Sequence, residues 1–218
     1  MQVLDYVASH PNAGITYRKS KMILAAHADA GYLNETDARS RVGAIFFLSE
    51  DDDVPPINGA VHIIAKIIKH VMSSAAEAEI GALFYTAQDG VILRQTLIEM
   101  GWPQPKTPIQ TDNSTASGVV NKTIVPKRTK SMDMRFHWLR CRSAQGQFRF
   151  YWYPGKSNLG DYFTKHFSPM VHKGQRGVYV SEDNFQNNPQ ECNCALAEAM
   201  NALQGCVDLE LSELVAVH

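Results

Sequence analysis

The sequence predicts an α/β protein built on one mixed β-sheet, and three observations carry that expectation. Three apolar, strand-length runs follow one another before any helical spacing begins. After Ser74 the apolar period lengthens to three or four residues, and two further strand-like runs then alternate with helical ones. The order is βββαβαβα, with no internal repeat. With 218 residues and 44% hydrophobic content, the chain can bury the core of one ordinary domain and still carry appendages.

The first strand is expected over residues 22–29, Met22-Ile-Leu-Ala-Ala-His-Ala-Asp29, and the second over residues 41–49; the polar stretch Asn34-Glu-Thr-Asp37 connects them. A third, residues 59–68, follows the turn signal Pro55-Pro56-Ile-Asn-Gly59, so the three form an antiparallel meander. Ala76, Ile80, Leu83, Phe84 and Ala87 then repeat at helical spacing, with Ser73 or Ser74 as the N-cap, and a second helix is expected near residues 91–100. Gly101-Trp-Pro-Gln-Pro105 ends it. Residues 107–111 form a short strand that delivers Asp112, and a helix with the polar start Asn113-Ser-Thr-Ala116 follows. Residues 129–144 are amphipathic, with Met132, Phe136 and Leu139 on one side. Phe148, Phe150 and Trp152 then alternate with Arg149, Tyr151 and Tyr153 in the last strand. Residues 169–218 read as a poorly ordered acidic tail, in which Leu196, Met200, Leu203 and Val207 suit only a weak helix.

Charge is unevenly distributed. Residues 1–180 hold all 21 Lys and Arg against 15 acids, whereas residues 181–218 hold seven acids and no Lys or Arg. A basic body suits a polyanionic partner, and Lys122, Lys127, Arg128, Lys130, Arg135, Arg140, Arg142 and Arg149 form its densest stretch, opposed only by Asp133. A solvated helix face is the competing explanation of such a cluster. No apolar run is long enough for a membrane span and the start lacks the pattern of a signal peptide, so a soluble, intracellular protein is expected. Cys141, Cys192, Cys194 and Cys206 lack zinc spacing and read as reduced thiols.

The chemistry-bearing residues are four carboxylates in four local settings. Asp29 closes the first strand, Glu79 lies in the helical Ser73-Ser-Ala-Ala-Glu-Ala-Glu79, Asp112 follows the fourth strand, and Asp161 opens Asp161-Tyr-Phe-Thr-Lys165. Acids at the ends of separate elements can converge at one sheet edge and hold hard cations, a layout suited to two-metal phosphodiester hydrolysis. Taken singly, each has a simpler explanation: a strand-end turn for Asp29, a helix cap for Asp112, a favourable helix-dipole charge for Asp161.

Six strings in order reverse that weighting: Ala28-Asp29-Ala30, Ser73-Ser-Ala-Ala-Glu-Ala-Glu79, Thr111-Asp-Asn-Ser-Thr-Ala116, Arg128-Thr-Lys130, Met134-Arg-Phe-His137 and Asp161-Tyr-Phe-Thr-Lys165. Together they resemble the ribonuclease H domain of copia-type retrotransposon polyproteins. The resemblance covers residues 22–168, and residues 1–21 look like the trailing end of the preceding reverse transcriptase. It implies a ribonuclease H-like sheet of five strands, three antiparallel and two parallel, flanked by helices. It also implies that Asp29, Glu79, Asp112 and Asp161 are the catalytic acids and bind two Mg2+ ions, for which Mn2+ can substitute. Glu77 competes with Glu79, because residues two apart point about 200° apart on a helix. Periodicity leaves that choice open, and the family pattern favours Glu79 ahead of Ile80.

The implied substrate is an RNA/DNA hybrid whose RNA strand is cut. Lys122, Lys127, Arg128, Lys130 and Arg135 would grip phosphates, and Asn113 or Ser114 would donate to a sugar or phosphate. His137 reads as a surface hydrogen-bonding residue, Glu77 as a solvent-exposed helix acid, and Trp138 and Trp152 as core. The loop Pro154-Gly-Lys-Ser-Asn-Leu-Gly160 lacks the histidine that some cellular relatives place there. Proton transfer would then fall to solvent or Lys156, while the role of His166 stays open. The rival reading is a catalytically silent nucleic-acid-binding or assembly module from a decayed element, and a third is a fragment that needs the missing reverse transcriptase to grip substrate. With no Tyr-x-Asp-Asp setting and no His-His-Cys-Cys pattern, the chain is not expected to polymerise or integrate.

Overall fold

The computed structural model describes residues 2–124 and 133–181. The chain divides into two units, Ile15–Tyr179 and a second formed by Met1–Gly14 with Val180–His218. In the second unit the described features are helix α1, Gln2–Ser9, and an isolated antiparallel bridge between Gly14 and Ser181. The expected tail helix, the cysteines Cys192, Cys194 and Cys206, and the basic residues Lys127, Arg128 and Lys130 lie outside the described residues.

The larger unit holds a five-stranded sheet in the order β3-β2-β1-β4-β5. Its strands are β1 Ile23–Glu35, β2 Arg39–Ser49, β3 Ala60–Ile68, β4 Thr107–Thr111 and β5 Phe148–Trp152. β1, β2 and β3 are antiparallel, whereas β4 runs parallel to both β1 and β5. The expected mixed sheet and its meander are present. β1 is longer than expected, because the polar residues after Asp29 continue to pair with the start of β2, Gly31 opposite Arg41 and Glu35 opposite Arg39. Beyond the covered part of the sheet a strand arm can carry polar side chains without cost, so the end of the apolar run does not mark the end of the strand.

One helix, α2 Ala75–Glu99, replaces the two expected between residues 74 and 100. Gly90 lies inside this helix, where the missing side chain lets it pack closely on β5: a Cβ at Gly90 would stand 3.1 Å from the Phe148 ring. α3 Ser114–Val120 and α4 Asp133–Ala144 complete the helical layer. Alternate residues of β1 and β2, namely Leu24, Ala26, Ala28, Val42, Ala44 and Phe46, are buried in one cluster with Ala78, Ala82 and Leu83 of α2 and with Phe136, Leu139, Phe148 and Phe150.

The opposite face carries Ala25, His27, Ile45 and Phe47, all buried. It is met by a 3-10 turn, Leu159–Phe163, and the chain continues into α5, Pro169–Arg176. The turn lies flush on the sheet because two glycines face each other: a Cβ on Gly43 would sit 2.4 Å from the Gly160 carbonyl oxygen, and one on Gly160 only 3.0 Å from the Gly43 oxygen. Trp152, expected in the core, is half exposed instead; its indole N–H donates to the Asp112 carbonyl at 2.9 Å and so ties the ends of β5 and β4 together. Trp138 does pack against the core, edge-on to Phe84. Among the described residues no helix is long and apolar enough to cross a membrane.

Candidate active site

Asp29 stands in the central strand, opposite Gly43 on β2, and is 4% exposed. Glu79 enters from the first turns of α2 and is 7% exposed, and Asp112 follows the last residue of β4. One carboxylate oxygen from each of Asp29, Glu79 and Asp112 lies within 4.8 Å of the others. Three acids separated by up to 83 positions in sequence thus share one small volume.

Local chemistry explains why each acid is delivered there. Ser74 caps α2 by accepting from the Glu77 amide at 3.1 Å. Glu77 is buried rather than solvent-exposed, the reverse of the expectation, because its carboxylate accepts from the Ser73 amide at 2.7 Å and from the Ser73 hydroxyl. This reciprocal capping turns Glu77 back toward the helix start and leaves Glu79, on another side of the helix, to face Asp29. Asn113, not Asp112, caps α3, its Oδ1 accepting from the Ala116 amide at 2.9 Å. The Asp112 carboxylate is therefore spared for the cluster.

Asp161 sits in the first turn of the 3-10 element, and Lys165 Nζ, four residues on, makes an ion pair with its Oδ1. Its charge reaches Asp29 and Asp112, but its oxygens are not part of the three-acid convergence. The turn is stapled to β1 by buried groups: Asn158 Nδ2 donates to the Ala28 carbonyl at 2.8 Å, and the Leu159 amide donates to His27 Nδ1 at 3.2 Å. Thr164, fully buried, donates from Oγ1 to Asp29 Oδ2 at 2.7 Å.

The electrostatics follow from crowding acids in a shielded place. Burial, then the charges of Asp29 and Asp112, push the Glu79 carboxyl up to about 9. Burial also raises Asp29, to about 6, against the opposing hydrogen bond from Thr164, and Asp112 moves upward for the same leading reason. His27 is pushed down to about 4 by burial, so its ring is neutral and can accept from Leu159. Lys165 is raised, first by its hydrogen bond to Asp161. An all-oxygen set that resists ionisation without a counter-charge fits a hard divalent cation, which would relieve the repulsion and take oxygen ligands.

Of the expected nucleic-acid contacts, Lys122 is exposed just past α3, and Arg135 lies 6.0 Å from the Phe84 ring. Ser114 is exposed at the start of α3. Three further basic residues of that stretch serve the fold. Arg140 donates to the Val119 carbonyl at the end of α3, at 2.7 Å from Nη2. Arg149 donates to the carbonyls of Asp52 and Asp53, and Arg142 stacks over Trp138. Sequence reasoning passed over His27, Asn158, Thr164 and Lys165. The last two had a signal, since they stand three and four residues after Asp161; His27 had none beyond its alternation with Asp29.

No protein-family model matches the chain. It is 28% identical over 139 residues to the retrovirus-related Pol polyprotein from transposon TNT 1-94 of Nicotiana tabacum, a match covering 63% of this chain and 10% of that protein. It is 28% identical over 173 residues to the corresponding polyprotein from transposon RE2 of Arabidopsis thaliana, covering 78% of this chain and 11% of the relative. The chain therefore spans about a tenth of the length of the curated relatives it matches. In fold it is similar to LC11-RNase H1, isolated from compost by a metagenomic approach, with a TM-score of 0.51, 14% identity, and coverage of 66% of this chain and 93% of that one. Sequence and fold agree with the motif resemblance: this is a ribonuclease H-like fold in a chain similar to transposon Pol polyproteins.

Proposed function

We propose that the chain is a nuclease domain that hydrolyses the RNA strand of RNA/DNA hybrids with divalent metal ions, using Asp29, Glu79, Asp112 and Asp161. The observation that carries this reading is the convergence of Asp29, Glu79 and Asp112 within 4.8 Å in a largely buried setting. The similarity to retrovirus-related Pol polyproteins and the ribonuclease H-like fold support it.

Two bound Mg2+ ions, or Mn2+ in their place, would activate a water and stabilise the departing 3′ oxygen of the cut strand. The protein's own part is positioning. Thr164 holds the Asp29 carboxylate, which feels the charges of both Asp112 and Asp161, so Asp29 would be fixed in place to take part in holding the metal. Substrate grip falls to Lys122 and Arg135 among the described residues, with Lys127, Arg128 and Lys130 proposed from sequence. Asn113, whose oxygen is engaged in the cap, would offer its Nδ2 to a sugar or phosphate, and Ser114 its hydroxyl.

Incubating a labelled RNA/DNA hybrid with the chain and Mg2+ or Mn2+ tests the reading. Cleavage is expected from the wild type, and Asp112→Asn should lower it by on the order of a thousandfold, because metal stabilisation of charge at the phosphate is worth several kcal/mol. Equal cleavage by both proteins would sink the site. Salt-sensitive binding with no cutting by the wild type would favour the silent binding module instead.

A further inference from the structure

Lys165 places a positive charge where the fourth acid is needed. Its Nζ is paired with Asp161 Oδ1, and its charge also acts on Asp29 and Asp112. The ammonium therefore lies within the field of the cluster, on the side of Asp161, while Asp29, Glu79 and Asp112 form a convergence that omits Asp161. From these placements we propose that Lys165 is a tethered competitor for the second divalent ion, occupying Asp161 in the resting state and withdrawing when that ion binds. The inference rests on the metal-binding reading of the acids given above.

Charge counting favours an exchange over coexistence. Four ionised carboxylates balance two divalent ions, so a docked ammonium would leave the filled cluster with excess positive charge in a poorly solvated place. With a single ion held by the three converged acids, the docked ammonium brings the cluster closer to neutrality. Withdrawal is easy to arrange: the Lys165 side chain is 53% exposed and Asp161 30%, so the ammonium can move into water on its flexible stem while the 3-10 turn stays anchored through Asn158 and Thr164. The i, i+4 spacing ties the competitor to the very acid it guards. The consequence is an ordered loading, with a first ion at Asp29, Glu79 and Asp112 and a weaker second ion that must displace Lys165. Lys165 is thus a positioning residue whose effect falls on the second binding step.

Titrating the whole 218-residue chain with Mn2+, following free Mn2+ by electron paramagnetic resonance at fixed pH, reads this directly. The wild type should bind one ion and then a second more weakly. Lys165→Met should tighten the second step about tenfold and leave the first within about twofold, whereas Lys165→Arg should behave as wild type and Asp161→Asn should lose the second step in either background. Melting in EDTA checks that the variants fold, and Lys165→Gln stands in should the methionine variant not. Identical isotherms for wild type and Lys165→Met, or a weaker second step in the variant, would overturn the competition and leave the metal site intact. A wild type that binds no Mn2+ would overturn the metal reading and this inference with it.

Discussion

A single hydroxyl proton orients the most buried acid of the cluster. Thr164 Oγ1 donates to Asp29 Oδ2 at 2.7 Å from a position with no solvent access, so the carboxylate is held in one rotamer before any ligand arrives. Hydrogen bonds of this kind to a metal-binding group commonly tune affinity by about 10- to 100-fold. Thr164→Val preserves shape and removes the donor. It is expected to weaken Mn2+ binding by about that factor while melting in EDTA changes little, and Thr164→Ser should restore binding; unchanged isotherms for the valine variant would count against the role. Glu77 and Glu79 make the same point about residues. Both are acids on one helix turn and both are buried, yet hydrogen bonding to Ser73 draws one into the cap, while the other meets Asp29 and Thr111. Their spacing alone could not tell them apart, because it says that they diverge and not which neighbour each will find.

Among elements, the 3-10 turn Leu159–Phe163 decides whether Asp161 reaches the cluster, and its seat on the sheet depends on the absence of side chains at Gly43 and Gly160. Gly43→Ala would drive a methyl against backbone that has no rotamer by which to yield. A loss of about 1 to 3 kcal/mol is expected, seen as a lower melting temperature, together with loss of the second Mn2+ step as the turn lifts. Wild-type stability and binding in that variant would show that the turn is not seated as described. The strands of this unit were legible from apolar runs and turn signals, since burial on a sheet leaves that imprint. Three features were not. The extension of β1 is polar, α2 runs on through Gly90 where it packs on the Phe148 ring, and the exposure of Trp152 goes with its hydrogen bond to the Asp112 carbonyl.

For the whole molecule, the acid cluster couples stability to pH. In the metal-free folded chain Glu79 is raised from the ordinary 4.5 to about 9 and Asp29 from 3.8 to about 6. Both groups keep protons that the unfolded chain has released, so stability falls as pH rises, from about 4 toward 6 for Asp29 and from 4.5 toward 9 for Glu79. Melting temperatures in EDTA should drop across that window, and Glu79→Gln should flatten the upper part of the decline. Because divalent ions bind the ionised acids, added Mg2+ should stabilise more at pH 8 than at pH 6, reversing the trend. A metal-free melting curve independent of pH between 5 and 9 would mean that the acids are not crowded as the geometry implies. The surplus of Lys and Arg in the body is less available than its count suggests, since Arg140 and Arg149 are spent on backbone carbonyls.

By itself the sequence determined the fold class, the order of the five strands along the chain and the identity of the candidate acids, because apolar periodicity and short motifs are local records of burial and chemistry. Only the tertiary structure decided which acids meet, that Glu77 closes a helix while Glu79 faces Asp29, and that Lys165 stands at Asp161. Those outcomes depend on the distance between groups far apart in the chain, and that distance is set by strand pairing, by two glycines that let a turn lie flat, and by a histidine and an asparagine that hold it there.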